Sequence, residues 1–277
     1  MITSKQNQKL KLARALLGRS KEREEAGAFA AEGVRLVEEA FTAAWPMQFV
    51  LYSDGLSERG QSLVENLRAS GADVEEVSAD LLQSLSETGT TQGIFAALNN
   101  HELDLPESLD FLLIPDQIRD PGNLGTLIRS AAAAGAQAVI IPPESTDAFA
   151  PKVVRSAMGA HFRLPVRVMG WEEIEHTSRL AGVKVYLADM DGQSCWETDL
   201  CAPLALIVGG EAEGASEEAR RLASESISIP MPGQTESLNA GVAGSVLMFE
   251  VVRQRKSTRE IPWNTFHHKG HKGLEGI

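Results

Sequence analysis

Three stretches of this 277-residue chain gather glycine, asparagine and carboxylate residues where short apolar runs end, and chemistry can be built there. The first, residues 116–135 (DQIRDPGNLGTLIRSAAAAG), opens on the turn residues Asp120, Pro121 and Gly122. It offers Asn123 as a helix N-cap and Gly135 as the residue just past the helix end. Leu124, Leu127, Ile128 and Ala131 follow helical spacing and must face a core. Arg129, about 140° around the helix from Leu124 at 100° per residue, stands off that stripe; alone, an arginine there is a surface or interface residue. The second stretch, residues 209–216 (GGEAEGAS), follows an apolar run, and its three glycines permit close backbone approach. Glu211 and Glu213 can receive a ribose hydroxyl or a cation but repel phosphate, which disfavours an anion cradle. The same residues also fit an ordinary strand-to-helix turn capped by Ser216. The third, residues 229–250 (IPMPGQTESLNAGVAGSVLMFE), is an irregular proline- and glycine-bearing loop. It leads into a helix opening at Ser237 or its neighbour and carrying Leu238, Val242, Val246 and Phe249. Ala240, Gly241, Ala243, Gly244 and Ser245 make one side of that helix very small, so a backbone of this chain or of a second copy must lie close against it.

These loops need a scaffold, and the surrounding pattern supplies two. Residues 5–17 read as a basic helix, and Val34, Leu36, Val37, Ala40 and Phe41 as a second one. Strand-like runs fall at 47–52, 73–77 and 93–98, with a helical 57–69 between the first two. This is a small α/β unit over residues 1–99. Residues 99–108 (NNHELDLPES) are polar and aperiodic and read as a linker setting that unit apart, with 100–108 as its core. A second unit spans 109–255, with near-continuous apolar runs at 109–114, 136–141, 183–188 and 204–208 that suit strands buried on both faces of a parallel sheet. Residues 256–277, with His267, His268 and His271, read as an extension.

The 26 Lys and Arg against 38 Asp and Glu give a net charge of −12, yet residues 1–25 and 253–277 each carry +4, leaving −20 for the remainder. Such segregation can present a phosphate-facing surface on an acidic protein. No apolar stretch is long enough to span a bilayer, and no signal peptide is evident. Two cysteines six apart exclude a disulfide framework and fit a reducing compartment. The strand-to-helix turn after residue 114 lacks GxGxxG, so no dinucleotide fingerprint is present.

Together the three stretches resemble the motifs of the SpoU/TrmH family of SPOUT RNA 2′-O-ribose methyltransferases. The first motif is matched by Asn123, Gly125, Arg129 and Gly135, and the second by Gly209, Glu211 and Gly214. The third is matched by Pro230, Pro232, Gly233, Ser237, Leu238, Asn239, Ala243 and Glu250. Residues 152–162 (KVVRSAMGAHF) resemble the family's stretch after the first motif. Residues 2–7 (ITSKQN), Glu32 to Arg35, and 88–96 resemble the L30e-like substrate-binding domain often fused to this family. Two positions depart: 209–212 read Gly-Gly-Glu-Ala where relatives often have Gly-Ser-Glu-Gly, and Ala157 stands where serine is frequent.

The resemblance implies an α/β fold, with a small L30e-like N-terminal domain and a SPOUT parallel-sheet catalytic domain ending in a trefoil knot. It implies methyl transfer from S-adenosylmethionine to a ribose 2′-hydroxyl of structured RNA, 23S-type ribosomal RNA before tRNA, in a cytoplasmic homodimer without a metal. Gly209, Glu211, Ile229, Leu238 and Asn239 would surround the cofactor, largely through backbone groups. By motif position Arg129 is the catalytic arginine. Arginine holds its proton, so it is suited to bind phosphate and stabilise alkoxide charge rather than act as a base. Asn123 would orient the loop and the ribose, and Glu211, Ser237 and Asn239 would complete the set. Lys5, Lys9, Arg14 and Arg35, with Lys152 and Arg155 as weaker candidates, would contact RNA. A non-catalytic RNA-binding or ribosome-assembly factor on the same fold is the alternative from another class.

Overall fold

Apolar runs and turn residues partition the chain into two sheets. The computed structural model describes residues 1–85, 93–211, 214–233 and 237–258. Glu213, residues 88–92 and the three tail histidines, on which sequence expectations fell, lie outside the described residues.

Helix α1 (Gln8–Leu17) starts three residues after the expected Lys5, because the Asn7 side chain caps it by accepting from the Lys9 amide. Helix α2 (Ser20–Ala26) and strand β1 (Ala28–Glu32) follow, neither of them expected. The first has no apolar period and the second is alanine-rich, so neither carries a periodic signal. Then come α3 (Val34–Thr42), β2 (Met47–Tyr52), α4 (Glu58–Ala69), β3 (Val74–Glu76), α5 (Ala79–Gln83) and β4 (Ile94–Asn99). The strands make one sheet in the order β1-β4-β2-β3, antiparallel except for β2 with β3. Asn99 ends β4, the last residue expected of the first unit.

The second unit runs β5 (Phe111–Pro115), α6 (Pro121–Ala134), β6 (Ala138–Ile141), α7 (Pro151–Ala157), β7 (Val166–Val168), α8 (Trp171–Ala181), β8 (Lys184–Ser194), β9 (Leu204–Val208), α9 (Glu217–Leu222), β10 (Glu225–Ser228) and α10 (Ala240–Thr258). Its sheet is wholly parallel, in the order β10-β8-β9-β5-β6-β7. Every residue of β5, β6 and β9 is buried, which accounts for their unbroken apolar sequence.

The two units share a core. Phe29 lies 5.0 Å from Phe149, and Trp45 lies 5.2 Å from Phe162, ring centre to ring centre. Arg23, only 5 % exposed, donates to Asp147 Oδ2 at 2.6 and 2.8 Å and to the carbonyls of Leu16 and Gly18. A buried guanidinium with its donors satisfied is costly to break. The two units thus pack against each other across the linker, and removing residues 1–99 would bare Phe149, Val154 and Phe162.

His161 sits in a short 3-10 turn (Ala160–Phe162) beside this interface, wholly buried. Its Nε2 lies 2.8 Å from the Ala148 carbonyl, and its Nδ1 has no hydrogen-bond partner. Burial lowers its pKa from 6.5 to about 4. The unfolded chain therefore takes up a proton below pH 6.5 while the folded chain does not until near pH 4. Stability is complete above the upper value and declines as pH falls towards the lower one. Urea titrations across this window should show a shallower pH dependence for His161→Gln than for wild type.

Candidate active site

The loops after β5, β9 and β10 converge at the C-terminal edge of the parallel sheet, where open α/β folds bind ligands. Asp120, not Asn123 as expected, caps α6, its Oδ1 accepting from the Asn123 amide at 2.9 Å. That amide first, then Lys152 at 3.4 Å, hold the Asp120 carboxyl below its ordinary pKa. Asn123, released from capping, turns its side chain outward. Gly125 lets α7 approach, since a Cβ there would lie 2.4 Å from that of Ser156.

A polar triangle ties the three loops together. Asn123 Nδ2 donates to Glu211 Oε1 at 2.8 Å, and Asn239 Nδ2 donates to the same oxygen at 2.6 Å and to Asn123 Oδ1 at 2.9 Å. The Ala240 amide adds a further bond to Glu211 Oε1 at 3.2 Å. Asn239 Oδ1 meanwhile accepts from the Val242 amide. Together these bonds start α10 at Ala240 rather than at Ser237 or its neighbour as expected, and Ser237 stays in the preceding loop.

Beside the triangle lies a cavity of about 530 Å³, within the roughly 300–1,000 Å³ usual for small-molecule sites. The expected residues Gly209, Glu211, Ile229, Ser237, Leu238 and Asn239 all line it. Gly209 supplies close backbone approach: a Cβ there would lie 2.8 Å from the Ala215 amide. Arg220 pairs with Asp189 at 2.8 Å on one wall and holds that carboxyl below its ordinary pKa. A smaller hollow of about 120 Å³ adjoins it, sharing Gly210, Glu211 and Ala240 and adding Arg119, Asp120 and Asn123. The triangle stands on the border between the two.

Arg129 is not brought into either hollow; it is exposed on α6 and has no partner among the described residues. The small side of α10 packs within the chain. A Cβ on Gly244 would fall 2.4 Å from Leu127 Cδ2, one on Gly241 would meet Thr126, and the Ser130 and Ser245 hydroxyls lie 2.7 Å apart. The opposite stripe stays exposed, at 47 % for Val242, 39 % for Val246 and 49 % for Phe249.

Among the expected RNA contacts, Lys5 and Arg35 are exposed, and the half-buried Arg14 donates to the Lys5 carbonyl. Lys9 is drawn to the sheet edge, 2.6 Å from both Asp73 and Glu75. Burial lowers its pKa, but the two carboxylates outweigh that and leave it raised, so its charge is already compensated. Arg155 faces Glu32 of the first unit at 3.8 Å. Sequence reading missed Asp116, Asp189 and Arg220; only the fold places them. Among the described residues no three His, Cys, Asp or Glu side chains are grouped to hold a metal, and no helix is long and apolar enough to cross a membrane.

The SpoU rRNA methylase family model matches residues 110–249, and a model of the MRM3-like substrate-binding domain matches residues 7–96. A 23S rRNA (uridine-2′-O)-methyltransferase of Streptomyces viridochromogenes is 35% identical over 93% of each chain. The Bacillus subtilis 23S rRNA (guanosine-2′-O)-methyltransferase RlmP is 35% identical over 90% of this chain and 98% of its own. The crystal structure of the SpoU methyltransferase AviRb from Streptomyces viridochromogenes with AdoMet superposes with a TM-score of 0.82 at 32% identity. It covers 91% of this chain and 99% of that one. The chain belongs to the SpoU family of rRNA methylases.

Glu211→Ala should leave the melting temperature within about 3 °C, because the carboxylate and its Asn partners reach solvent. Turnover should fall at least about tenfold as the triangle loses its centre. Thermal denaturation alongside a methyl-transfer assay measures both.

Proposed function

We propose that the chain transfers a methyl group from S-adenosylmethionine to a ribose 2′-hydroxyl of 23S-type ribosomal RNA. The observation that carries this reading is the Asn123–Glu211–Asn239 triangle between a cofactor-sized cavity and a smaller polar hollow. The cavity fits the cofactor: glycine backbone admits a flat ring, Ile229, Met231 and Leu238 give it an apolar bed, and Asn239 offers polar partners. Bound there, S-adenosylmethionine supplies a methyl group already activated by its sulfonium. The chain's own residues orient the acceptor hydroxyl and compensate charge. Asn123 keeps one amide hydrogen to present to the hydroxyl, Glu211 and Asn239 fix its side chain, and Ser237 lies on the cavity wall within the same set.

Arg129 enters from a second copy. The stripe Val242, Val246 and Phe249 is exposed on α10 away from its contact with α6, which carries Arg129, and pairing through it gives a homodimer in which each arginine serves its neighbour's cavity. Residues 1–99 grip the RNA and 109–255 carry the chemistry, held as one body by the Arg23–Asp147 bond. The C-terminal knot belongs to the same reading, supported by the chain crossing from β9 past β8 to place β10 on the outer side of β8 while α10 comes back against α6. A ribosomal substrate goes with a cytoplasmic location.

The direct test is incubation of purified protein with S-adenosylmethionine and unmethylated 23S rRNA, followed by mapping of 2′-O-methylated ribose; no methylated position would refute the reading. Arg129→Ala should abolish transfer while cofactor affinity and folding persist. Mixing it with inactive Asn239→Ala should restore about a quarter of wild-type activity, one intact site in half of the dimers. No recovery on mixing would mean that Arg129 serves its own chain. For the RNA grip, Lys5, Arg14 and Arg35 are the charges to neutralise together. Every phosphate that the variant no longer neutralises should flatten the salt dependence of RNA binding by roughly 0.7–0.9 in log–log slope.

A further inference from the structure

Asp116 directly follows β5, and it is wholly buried, at 0 % exposure. Its amide donates to the Val208 carbonyl at 2.9 Å, and its Oδ2 accepts from the Ser216 amide at 2.7 Å. Val208 and Ser216 flank the loop of residues 209–215, so one residue closes that loop at both ends. The next residue, Gln117, sits in the left-handed region at φ 51°, and its carbonyl oxygen lies 2.5 Å from where a Gly210 Cβ would stand. The segment 116–117 therefore meets the loop at residues 208, 210 and 216. Glu211 is left to turn towards Asn123 and Asn239.

The chemistry of Asp116 is unfavourable for a purely structural residue. Its Oδ1 is buried with no hydrogen-bond partner, which ordinarily costs free energy that an apolar side chain would not. Burial raises its pKa, against the hydrogen bonds from Ser216, and the nearby Glu218 and Glu144 add to the rise. A carboxylate is held there at a cost to stability, and the bond to Ser216 is what it achieves.

We infer that Asp116 is a positioning residue of this enzyme: it clamps the 209–215 loop so that the glycine wall of the cofactor cavity and the Glu211 carboxylate keep their relative places. The inference rests on the assignment of that loop to the S-adenosylmethionine site. Its action passes through the loop; Asp116 itself lines neither hollow.

The test combines affinity, kinetics and amide exchange on full-length protein. Asp116→Ala should raise the Kd and KM for S-adenosylmethionine about tenfold by leaving the Ser216 amide unpaired, while KM for RNA stays within twofold. Asp116→Asn keeps an oxygen for Ser216 and should recover most of the loss; it is the variant to read if the alanine form does not fold. Ser216 has φ −62°, which proline shares, so Ser216→Pro deletes the amide hydrogen; it also removes the Oγ cap on the Ala219 amide, which Ser216→Ala removes by itself. The double variant Asp116→Ala/Ser216→Pro should then be no weaker than Asp116→Ala/Ser216→Ala, which lacks the same cap. Unchanged cofactor affinity in Asp116→Ala, a parallel rise in both KM values, or additive losses in the double variant would overturn the clamp. Wild-type protein that fails to bind S-adenosylmethionine would instead defeat the site assignment. Hydrogen exchange then judges the clamp by itself: the Ser216 amide should be protected in wild type and exchange at least about tenfold faster in Asp116→Ala, and equal rates would refute it.

Discussion

One carboxylate oxygen organises this site. Glu211 Oε1 receives amide hydrogens from Asn123, Asn239 and Ala240, which lie 88, 28 and 29 residues away along the chain. Charge-assisted bonds are stronger than neutral ones, and Ala240 is the first residue of α10, where a helix dipole favours negative charge. The same oxygen thus caps a helix, joins three loops and separates two hollows. Local bonds such as Asp120 to the Asn123 amide and Asn239 to the Val242 amide shape each segment, but only this oxygen brings the three together.

The triangle can form only because the surrounding elements approach unusually closely, and glycine is the means. Gly125 admits α7 against α6, Gly244 admits α10 against Leu127, and Gly192 in β8 would place a Cβ 2.5 Å from the backbone of Ser226 in β10. Larger residues at these places would push helices and strands apart by more than a hydrogen bond tolerates. The alanine- and glycine-rich character of α6 and α10, which weakens them as isolated helices, is thus the condition for their packing.

Charge is likewise redistributed by the fold. The basic N-terminal segment can present a local phosphate-facing surface, but Lys9 is compensated by Asp73 and Glu75, and Arg23 is buried against Asp147. Arg155 in the second unit is turned towards Glu32. Lys5, Arg35 and Arg129 remain exposed, and Arg14 partly so. The cations that fix the two units together are therefore different residues from those left to meet an anionic partner.

The sequence alone determined the parallel character of the second sheet, because strands buried on both faces must be apolar throughout, as β5, β6 and β9 are. It also marked the three loops, and the resemblance of their motifs to a known family implied Gly209, Glu211, Ile229, Leu238 and Asn239, which line the cavity. Local capping was only partly legible: Ser216 caps α9 as expected, α6 is capped by Asp120 through an equally short-range bond where Asn123 was expected, and α10 starts where Glu211 arrives from a distant loop. The tertiary structure alone decided which cations stay free and that the two units share the Phe29–Phe149 core. It also decided that Arg129 stands outside its own cavity and that Asp116 closes the 209–215 loop. Each of these depends on contacts between residues far apart in the chain, and neither periodicity nor composition records such contacts.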